Sequence, residues 1–366
     1  MEYFNRIVVQ DRVKSLFANS IKNGRLAHAY LFYGEEGRGK EAFALHLARA
    51  LNCTSTEERP CGECANCQRI THFNHPNIKF IFPAPKNIKY DQVKQIIQTK
   101  AKNPYAALPL TGNKNISIDA IRELKEEAKF AAFEGGYRVV IISGAEYFSR
   151  EAANSFLKLL EEPPDKFLII LITEALHLML DTIRSRCQPV YFPEFKDEQI
   201  EQIVRQYEPV KDDLLSLIHM ANSNVKRVFQ MLHEDYSEQK QWILEFIRAV
   251  AVENYFHINE LLEKIQTRGG QQTHLELLHL LNGWFNDILH LQQDENYARL
   301  INIDLKESLF KFSKSYPQIK LSEIIESIEK AIRAIEGNAH PMMTWFNLAI
   351  FIHGLLGPLR ELKEAI

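Results

Sequence analysis

The segment that decides the fold reads Gly34-Glu35-Glu36-Gly37-Arg38-Gly39-Lys40. Glycines spaced in this way before a lysine are typical of a phosphate-binding loop, in which backbone N–H groups surround the phosphates and the lysine contacts the terminal ones. An apolar run at 29–33 precedes the segment, and a helical pattern at 41–51 follows it. This order of strand, loop and helix predicts a phosphate site whose binding residues are Gly34, Gly37, Gly39 and Lys40.

The two positions that normally hold Mg²⁺ beside such a loop are altered. The residue after the lysine is Glu41, where a working site has Ser or Thr. The strand that should end in acidic residues is 138–142, and it continues into Ser143. A glutamate is longer than a hydroxyl and places a negative charge beside the phosphates. The sequence therefore predicts a nucleotide-shaped cleft in which ATP or ADP can bind but is not hydrolysed.

A compact array of cysteines follows the first helix of this unit. Its members are Cys53, Cys61, Cys64 and Cys67. Two C-x2-C steps aim successive thiolates at one point, which suits tetrahedral Zn²⁺, whereas a redox pair or unrelated thiols are the alternatives. We expect a structural zinc knuckle at 53–67 that performs no reaction.

Length and composition limit the class of protein. A chain of 366 residues suggests two or three domains, and 46% hydrophobic with 25% charged residues indicates a folded, soluble protein. The apolar runs are too short for a bilayer and the first residues do not resemble a leader, so we expect a cytoplasmic protein without membrane contact. Residues 1–195 carry 26 Lys+Arg and 22 Asp+Glu, a balance too mild to indicate nucleic-acid binding by itself.

The first half alternates short apolar runs with helical patterns, which predicts an α/β fold with helices on both faces of a parallel sheet. The predicted strands are 29–33, 78–82, 138–142, 167–173 and 189–192. The predicted helices between them are 41–51, 90–100, 117–132 and 150–161. Beyond 197 only helical periodicity is visible. We predict a nucleotide-binding-like domain at 1–195, a small helical lid at 196–238 and an all-helical domain at 239–366.

An insertion rich in Pro, Lys and Asn occupies 83–111. Its lysines are Lys86, Lys89, Lys94, Lys100 and Lys102. They could contact DNA, but we favour solvated loop side chains.

Further strings complete the pattern of one family. They lie at 25–32, 61–67, 75–77, 151–164, 182–188 and 338–341, and include Leu160-Glu161-Glu162-Pro163-Pro164 and Ser185-Arg186-Cys187. Together they resemble the delta prime clamp-loader subunits of bacterial DNA polymerase III, which are AAA+ proteins. The likeness extends over most of the chain and is strongest at 25–192.

The resemblance implies an assembly of five subunits, joined through a collar of C-terminal helical domains, that opens a ring-shaped sliding clamp and closes it around primed DNA. ATP lies between subunits, so each site combines one subunit's loop with an arginine from its neighbour. In this family the Ser-Arg-Cys string supplies that arginine, which implies that Arg186 acts in trans. A structural ion pair is the alternative role.

Two further residues have expected roles. Lys226 aligns with a phosphate-sensing arginine of the lid. We expect Cys187 to be a buried apolar residue.

Two other classes of function stay open. One is an active ATP-hydrolysing clamp-loader motor or standalone P-loop NTPase, in which Glu41 and Glu146 replace the missing metal ligands. The other is a zinc-dependent DNA-binding module that uses the cysteine cluster and the loop lysines. ATP turnover by the isolated chain distinguishes the first, and salt-dependent binding to primed DNA distinguishes the second.

Overall fold

The computed structural model describes residues 2–85, 88–108, 115–209, 214–232, 236–268, 270–295, 297 and 300–356. The chain divides into two compact units, one of residues 1–210 with 223–230 and one of residues 211–222 with 231–366. Each unit has its own apolar core. The predicted lid, 196–238, contributes residues to both units. The division into three domains therefore stays a prediction.

The strands among the described residues all belong to the first unit. In chain order they are β1 (Glu2–Tyr3), β2 (Ala29–Tyr33), β3 (Glu58–Arg59), β4 (Ile78–Ile81), β5 (Arg138–Ile142), β6 (Phe167–Thr173) and β7 (Gln188–Tyr191). Five of them form a parallel sheet in the order β4-β5-β6-β2-β7, and β1 pairs with β3 separately. The carboxyl ends of β2, β5 and β6 thus lie at one edge of the sheet, where ligands of parallel sheets bind.

Helices account for most of the remaining described chain. In the first half they are α1 (Asp11–Lys22), α2 (Lys40–Asn52), α3 (Ala65–Thr71), α4 (Tyr90–Lys102), α5 (Ile118–Ala128), α6 (Arg150–Glu161), α7 (Asp181–Arg184) and α8 (Asp197–Tyr207). They continue as α9 (Leu214–Met220), α10 (Val225–Met231), α11 (Ser237–Ala251), α12 (Tyr255–Arg268), α13 (Gln271–Gln293), α14 (Lys306–Ser315), α15 (Leu321–Glu336) and α16 (Pro341–Leu356).

Both faces of the main sheet are covered. All seven residues of β6 are buried, as expected for a central strand. Alternate residues of β2 enter different cores: Leu31 packs with Phe156 of α6, and Phe32 packs with Phe43 of α2. The predicted fold class, a parallel α/β sheet with helices on both faces followed by a helical region, is confirmed.

Except at one helix end, the bounds of the predicted elements lie within two residues of the observed ones. The helix expected at 117–132 stops at Ala128. The Asn77 side chain pairs with the backbone of Phe133 in both directions, at 2.6 and 3.0 Å. The Arg138 guanidinium donates a hydrogen bond to the Glu127 carbonyl oxygen. These tertiary contacts hold the segment after Ala128 outside the helix. The local sequence could not predict them, because Asn77 and Arg138 are distant from this segment or follow it in the chain.

The second unit is helical in its described residues. Its core contains the fully buried rings of Trp284, Phe285 and Trp345. α16 buries one side, but its outer stripe includes the exposed Met343 and Ile350, 68% and 55% accessible. Among the described helices, none has both the length and the apolar character needed to cross a membrane.

Candidate functional site

The phosphate-binding loop joins β2 to α2 at the carboxyl edge of the sheet. Gly37 and Gly39 have positive φ angles of 72° and 73°. A Cβ on Gly39 would lie 2.7 Å from the Phe195 ring, and one on Gly37 would lie 2.9 Å from the Asn224 Cα. Both positions require glycine, because left-handed backbone and close neighbours exclude a side chain.

Lys40 begins α2 and has a buried side chain. Its ammonium donates to the carbonyl oxygens of Gly34 at 2.7 Å and Glu35 at 2.5 Å. Burial lowers the pKa of Lys40, while the charge of Glu174 acts in the opposite direction. The ammonium is held against the loop, from where the lysine of such a loop contacts phosphate.

Both carboxylate oxygens of Glu41 are engaged by protein groups. One accepts a hydrogen bond from the Lys100 ammonium and the other from the Ser143 hydroxyl. Lys100 is only 2% exposed and also donates to the Pro104 carbonyl oxygen at 3.2 Å. Burial raises the pKa of Glu41, but the effects of Lys100 and Ser143, which lower it, are together larger. The pKa of Glu41 therefore lies below its ordinary value. Glu41 is therefore an ionised carboxylate with a buried ammonium beside it.

These contacts do not fit a Mg²⁺ ion. Mg²⁺ requires near-octahedral oxygen ligands, whereas the carboxylate of Glu41 faces an ammonium and β5 is followed by a hydroxyl. A metal ion on Glu41 would displace Lys100 and leave its charge buried without a partner. The expectation that Lys100 is a solvated loop lysine was wrong, because the fold buries it against a residue 59 positions away.

Other charged groups line the same cleft. Lys226, which the family resemblance placed at the phosphate-sensing position, lines this cleft and pairs with Glu36 of the loop. Glu146 also lines it, and one of its oxygens accepts from the Glu174 N–H at 3.3 Å. Burial raises the pKa of Glu174. Sequence reasoning missed Glu174, although its position directly after the buried strand β6 is a signal for such a site.

Arg186 lies elsewhere, in the turn between α7 and β7, and does not line this cleft. Its guanidinium pairs with Glu161 at the end of α6, with Nε and Nη2 at 2.9 and 2.6 Å from one carboxylate oxygen. Nη1 donates to the Thr182 carbonyl oxygen at 2.8 Å. The side chain is 37% exposed. The ion pair holds the guanidinium at the surface rather than burying it.

The cysteine cluster forms beside α2 and α3. The four sulfurs, of Cys53, Cys61, Cys64 and Cys67, all lie within 4.8 Å of one another. Cys53 is 3.5 Å from Cys61 and 3.9 Å from Cys64, sulfur to sulfur. Tetrahedral zinc with Zn–S bonds of about 2.3 Å needs sulfurs about 3.8 Å apart. The donor set and its spacing fit a structural metal ion.

Backbone N–H groups point at these sulfurs. Cys53 accepts from Ser55, Cys61 from Cys64, and Cys64 from Cys67, each at 3.4 Å. Burial raises the pKa of Cys64, but hydrogen-bond donors outweigh it and set this pKa to about 6, whereas burial raises the pKa of Cys53 and of Cys67. The thiolate is the form that binds metal. The spacing of the four sulfurs is what fits a metal ion, and its identity as zinc stays a prediction.

The fifth cysteine behaves differently. Cys187 is 7% exposed and packs in an apolar core. Burial raises the pKa of its thiol to about 12. It is a buried apolar residue, as expected.

Together, the parallel sheet and the glycine loop at the end of β2 define a P-loop protein of the AAA+ type. The pattern of the family described as DNA polymerase III, delta subunit, matches residues 9–109 and 107–196, and that of its C-terminal part matches 234–341. The chain belongs to this family and is a clamp-loader subunit of DNA polymerase III. The resemblance to the delta prime subunits is confirmed.

The chain is also similar to individual known proteins. The chain is 28% identical over 336 residues to DNA polymerase III subunit delta' of Bacillus subtilis, covering 91% of this chain and 92% of that protein. It is 24% identical to subunit tau of the same organism, covering 95% of this chain and 60% of that protein. A DNA polymerase III gamma subunit-related protein of Thermotoga maritima aligns with a TM-score of 0.45 and 14% identity, covering 94% of this chain and all of that one.

Proposed function

We propose that this clamp-loader subunit does not hydrolyse ATP and instead supplies Arg186 to the ATP site of a neighbouring subunit. The absence of ATP hydrolysis is supported by one observation: Lys100 and Ser143 each donate a hydrogen bond to a carboxylate oxygen of Glu41. Hydrolysis by a P-loop site depends on a metal ion and on acids that orient water. This cleft has a protein ion pair at the corner where the metal would bind.

Arg186 has the properties needed for action in trans. It lies outside its own cleft, and more than a third of its side chain is accessible. A guanidinium stays charged at any physiological pH and presents a planar set of donors to phosphate oxygens. Glu161 orients it from one side, so the ion pair and the role in trans are compatible: the carboxylate positions the group that a neighbour's nucleotide would meet.

The second unit supports a role in assembly. The outer stripe of α16 exposes Met343, Ile350 and Phe351, which are 68%, 55% and 41% accessible. Residues seven and eight positions apart lie on one face of a helix, here with the exposed Asn347 between them. We propose that this face contacts other subunits in a five-membered collar. The assembly would act in the cytoplasm on the sliding clamp and on primed DNA, with zinc at the four cysteines as a purely structural ion.

The arginine is tested in a loader reconstituted with its partner subunits. We expect Arg186→Ala to assemble normally but to lower DNA-stimulated hydrolysis at the neighbouring site by about 10³-fold or more. Arg184→Ala is the matched control, because Arg184 ends α7 just before the turn that holds Arg186 and is 47% exposed in a pair with Asp181. Full ATPase activity in the Arg186 variant, or an equal loss in both variants, would reject the trans role.

A further inference from the structure

A cavity of about 420 Å³ lies in the second unit. Its wall comes from the starts of two helices, α13 and α16, and from the turn that precedes α16. The lining residues are Gly270, Gln271, His274, Asn338, Ala339, His340, Pro341 and Met342. None of these described lining residues is acidic, so the wall has no side chain that would repel an anion.

Two helix N-termini meet at this cavity. The first N–H groups of a helix have no acceptor within that helix. Gln271 is the first residue of α13 and Met342 is the second of α16, so both of these lining residues have such an N–H group. Each helix N-terminus also carries about half a positive charge. The helices, 23 and 16 residues long, together give the cavity about one positive charge.

A buried histidine is an independent sign of a ligand. His274, the fourth residue of α13, lines the cavity and is 4% exposed. Its Nδ1 atom is buried and has no hydrogen-bond partner among the described residues. Buried polar atoms are normally hydrogen-bonded, so such an atom in a residue of a cavity wall indicates a missing partner. Burial lowers the pKa of His274, so at neutral pH its uncharged ring can donate one N–H.

The two helix starts are held in place by the protein itself. The Gln271 side chain donates to the Ile335 carbonyl oxygen near the end of α15. The turn after α15 is closed by the Asn338 N–H, which donates to Ile335, and by the Ala339 N–H, which donates to Ala334, both at 2.9 Å. Donors that are already ordered bind a ligand without the entropic cost of ordering them.

We propose that this cavity binds a phosphate group through the N–H groups of Gln271 and Met342 and the imidazole of His274. Donors on two helices suit a tetrahedral phosphate, whose oxygens point in several directions, better than a planar carboxylate. The cavity is larger than one phosphate, and Pro341 and Met342 give it an apolar side. The phosphate is therefore either a free ion or part of a phosphate ester. This site is separate from the proposed function of Arg186 and does not depend on it.

Calorimetric titration of the full chain with inorganic phosphate tests the site. We expect one saturable site with a dissociation constant of about 1 mM or tighter, and binding about tenfold weaker or more in His274→Phe. His274→Asn should recover most of the affinity, because its amide nitrogen can replace Nδ1 as a donor. His279→Phe, at an exposed position of the same helix, is the control and should bind like the wild type. No saturable binding by the wild type, or equal binding by a folded His274→Phe, would overturn the proposal.

A second pair of variants tests a backbone donor without changing the core. Proline is favoured at the first position of a helix, and the extended backbone of Gly270 can precede it. Gln271→Pro therefore removes the N–H group and keeps the helix, whereas Gln271→Ala removes only the side-chain contact with Ile335. We expect Gln271→Pro to bind phosphate about tenfold more weakly than Gln271→Ala. Equal affinities would contradict the site.

The phosphate-binding loop is a competing place for the same ion, so each titration is repeated with Lys40→Ala. Binding that survives this change and is lost in His274→Phe supports the proposal, and the reverse result would overturn it. Phenyl phosphate is the second probe: tighter binding than inorganic phosphate assigns the site to an ester, and weaker binding assigns it to the free ion. No readout involves ATP turnover or Arg186, so a failure here is distinguishable from a failure of the proposed function.

Discussion

The buried ammonium of Lys100 has the Glu41 carboxylate as its ionic partner. Changing Glu41 to Gln would leave that charge 2% exposed and without a counter-ion, which costs about 3 kcal/mol or more of stability. Urea unfolding monitored by circular dichroism measures the loss. Glu126→Gln is the control, because the Glu126–Lys129 pair is exposed on both sides and should contribute less than about 1 kcal/mol. Equal losses for the two variants would contradict this view of the pair.

The same ion pair has a defined pH dependence. The pKa of Glu41 is lower in the folded state than its ordinary value, so its carboxylate stabilises the fold above that ordinary value. The contribution disappears as the pH falls through the lowered pKa. In acid, the wild type should therefore lose stability more steeply than Glu41→Gln. Parallel stability curves for the two proteins would show that the pair contributes nothing.

At the scale of residues, sequence predicts groups whose partners are close along the chain. The loop glycines and Lys40 are recognisable because a strand and a helix flank them directly. Lys100 was not predictable in this way, since its role depends on a residue 59 positions away that only the fold brings near. Glu174 was missed although its position directly after β6 is a local signal; its neighbours at the cleft, Glu146 and Lys40, come from other parts of the chain.

The segment that carries the four cysteines should depend on metal for its order. We expect about one zinc ion per chain in protein purified without chelator, and loss of that zinc in Cys61→Ser, because three ligands leave the tetrahedral site open. Cys187→Ala is the control, since Cys187 lies in an apolar core away from the cluster, and it should retain its zinc. Metal analysis giving well under one zinc per chain in the wild type would refute the site.

The outer stripe of α16 should matter for assembly more than for folding. Ile350→Glu places a charge on an exposed apolar face, so we expect an unchanged circular dichroism spectrum but weaker association with partner subunits by about tenfold or more. Co-purification or sedimentation measures the association. Lys330→Glu on α15, at an exposed position, is the control and should assemble normally. Normal assembly of Ile350→Glu would exclude this face as a contact.

Elements were predictable where burial is strong and uniform. The strand β6 agrees with its predicted bounds because its seven consecutive residues are all buried and six of them are apolar, which leaves few alternatives. The helix α6 was equally well bounded, with the Ser149 hydroxyl accepting from the Ala152 N–H at its start and two prolines soon after its end. The end of α5 was not, because Asn77 and Arg138 determine it from distant parts of the chain.

At the scale of the whole molecule, two units with separate cores combine different tasks in one chain. The first unit carries the cleft, Arg186 and the cysteine cluster, and the second carries the exposed face of α16. Composition and periodicity were sufficient to predict this split between an α/β part and a helical part. They could not predict how the residues of the lid range, 196–238, are shared between the units.

We propose that this chain's own cleft hydrolyses no ATP while its Arg186 acts at the ATP site of another subunit. The most direct test is steady-state ATP turnover by the purified, isolated chain in excess Mg²⁺, compared with its Lys40→Ala variant. We predict no turnover above the buffer background and no difference between the two proteins, because Lys100 and Ser143 already hold Glu41. Sustained turnover by the wild type that the Lys40→Ala change abolishes would contradict the claim and identify the chain as an active motor.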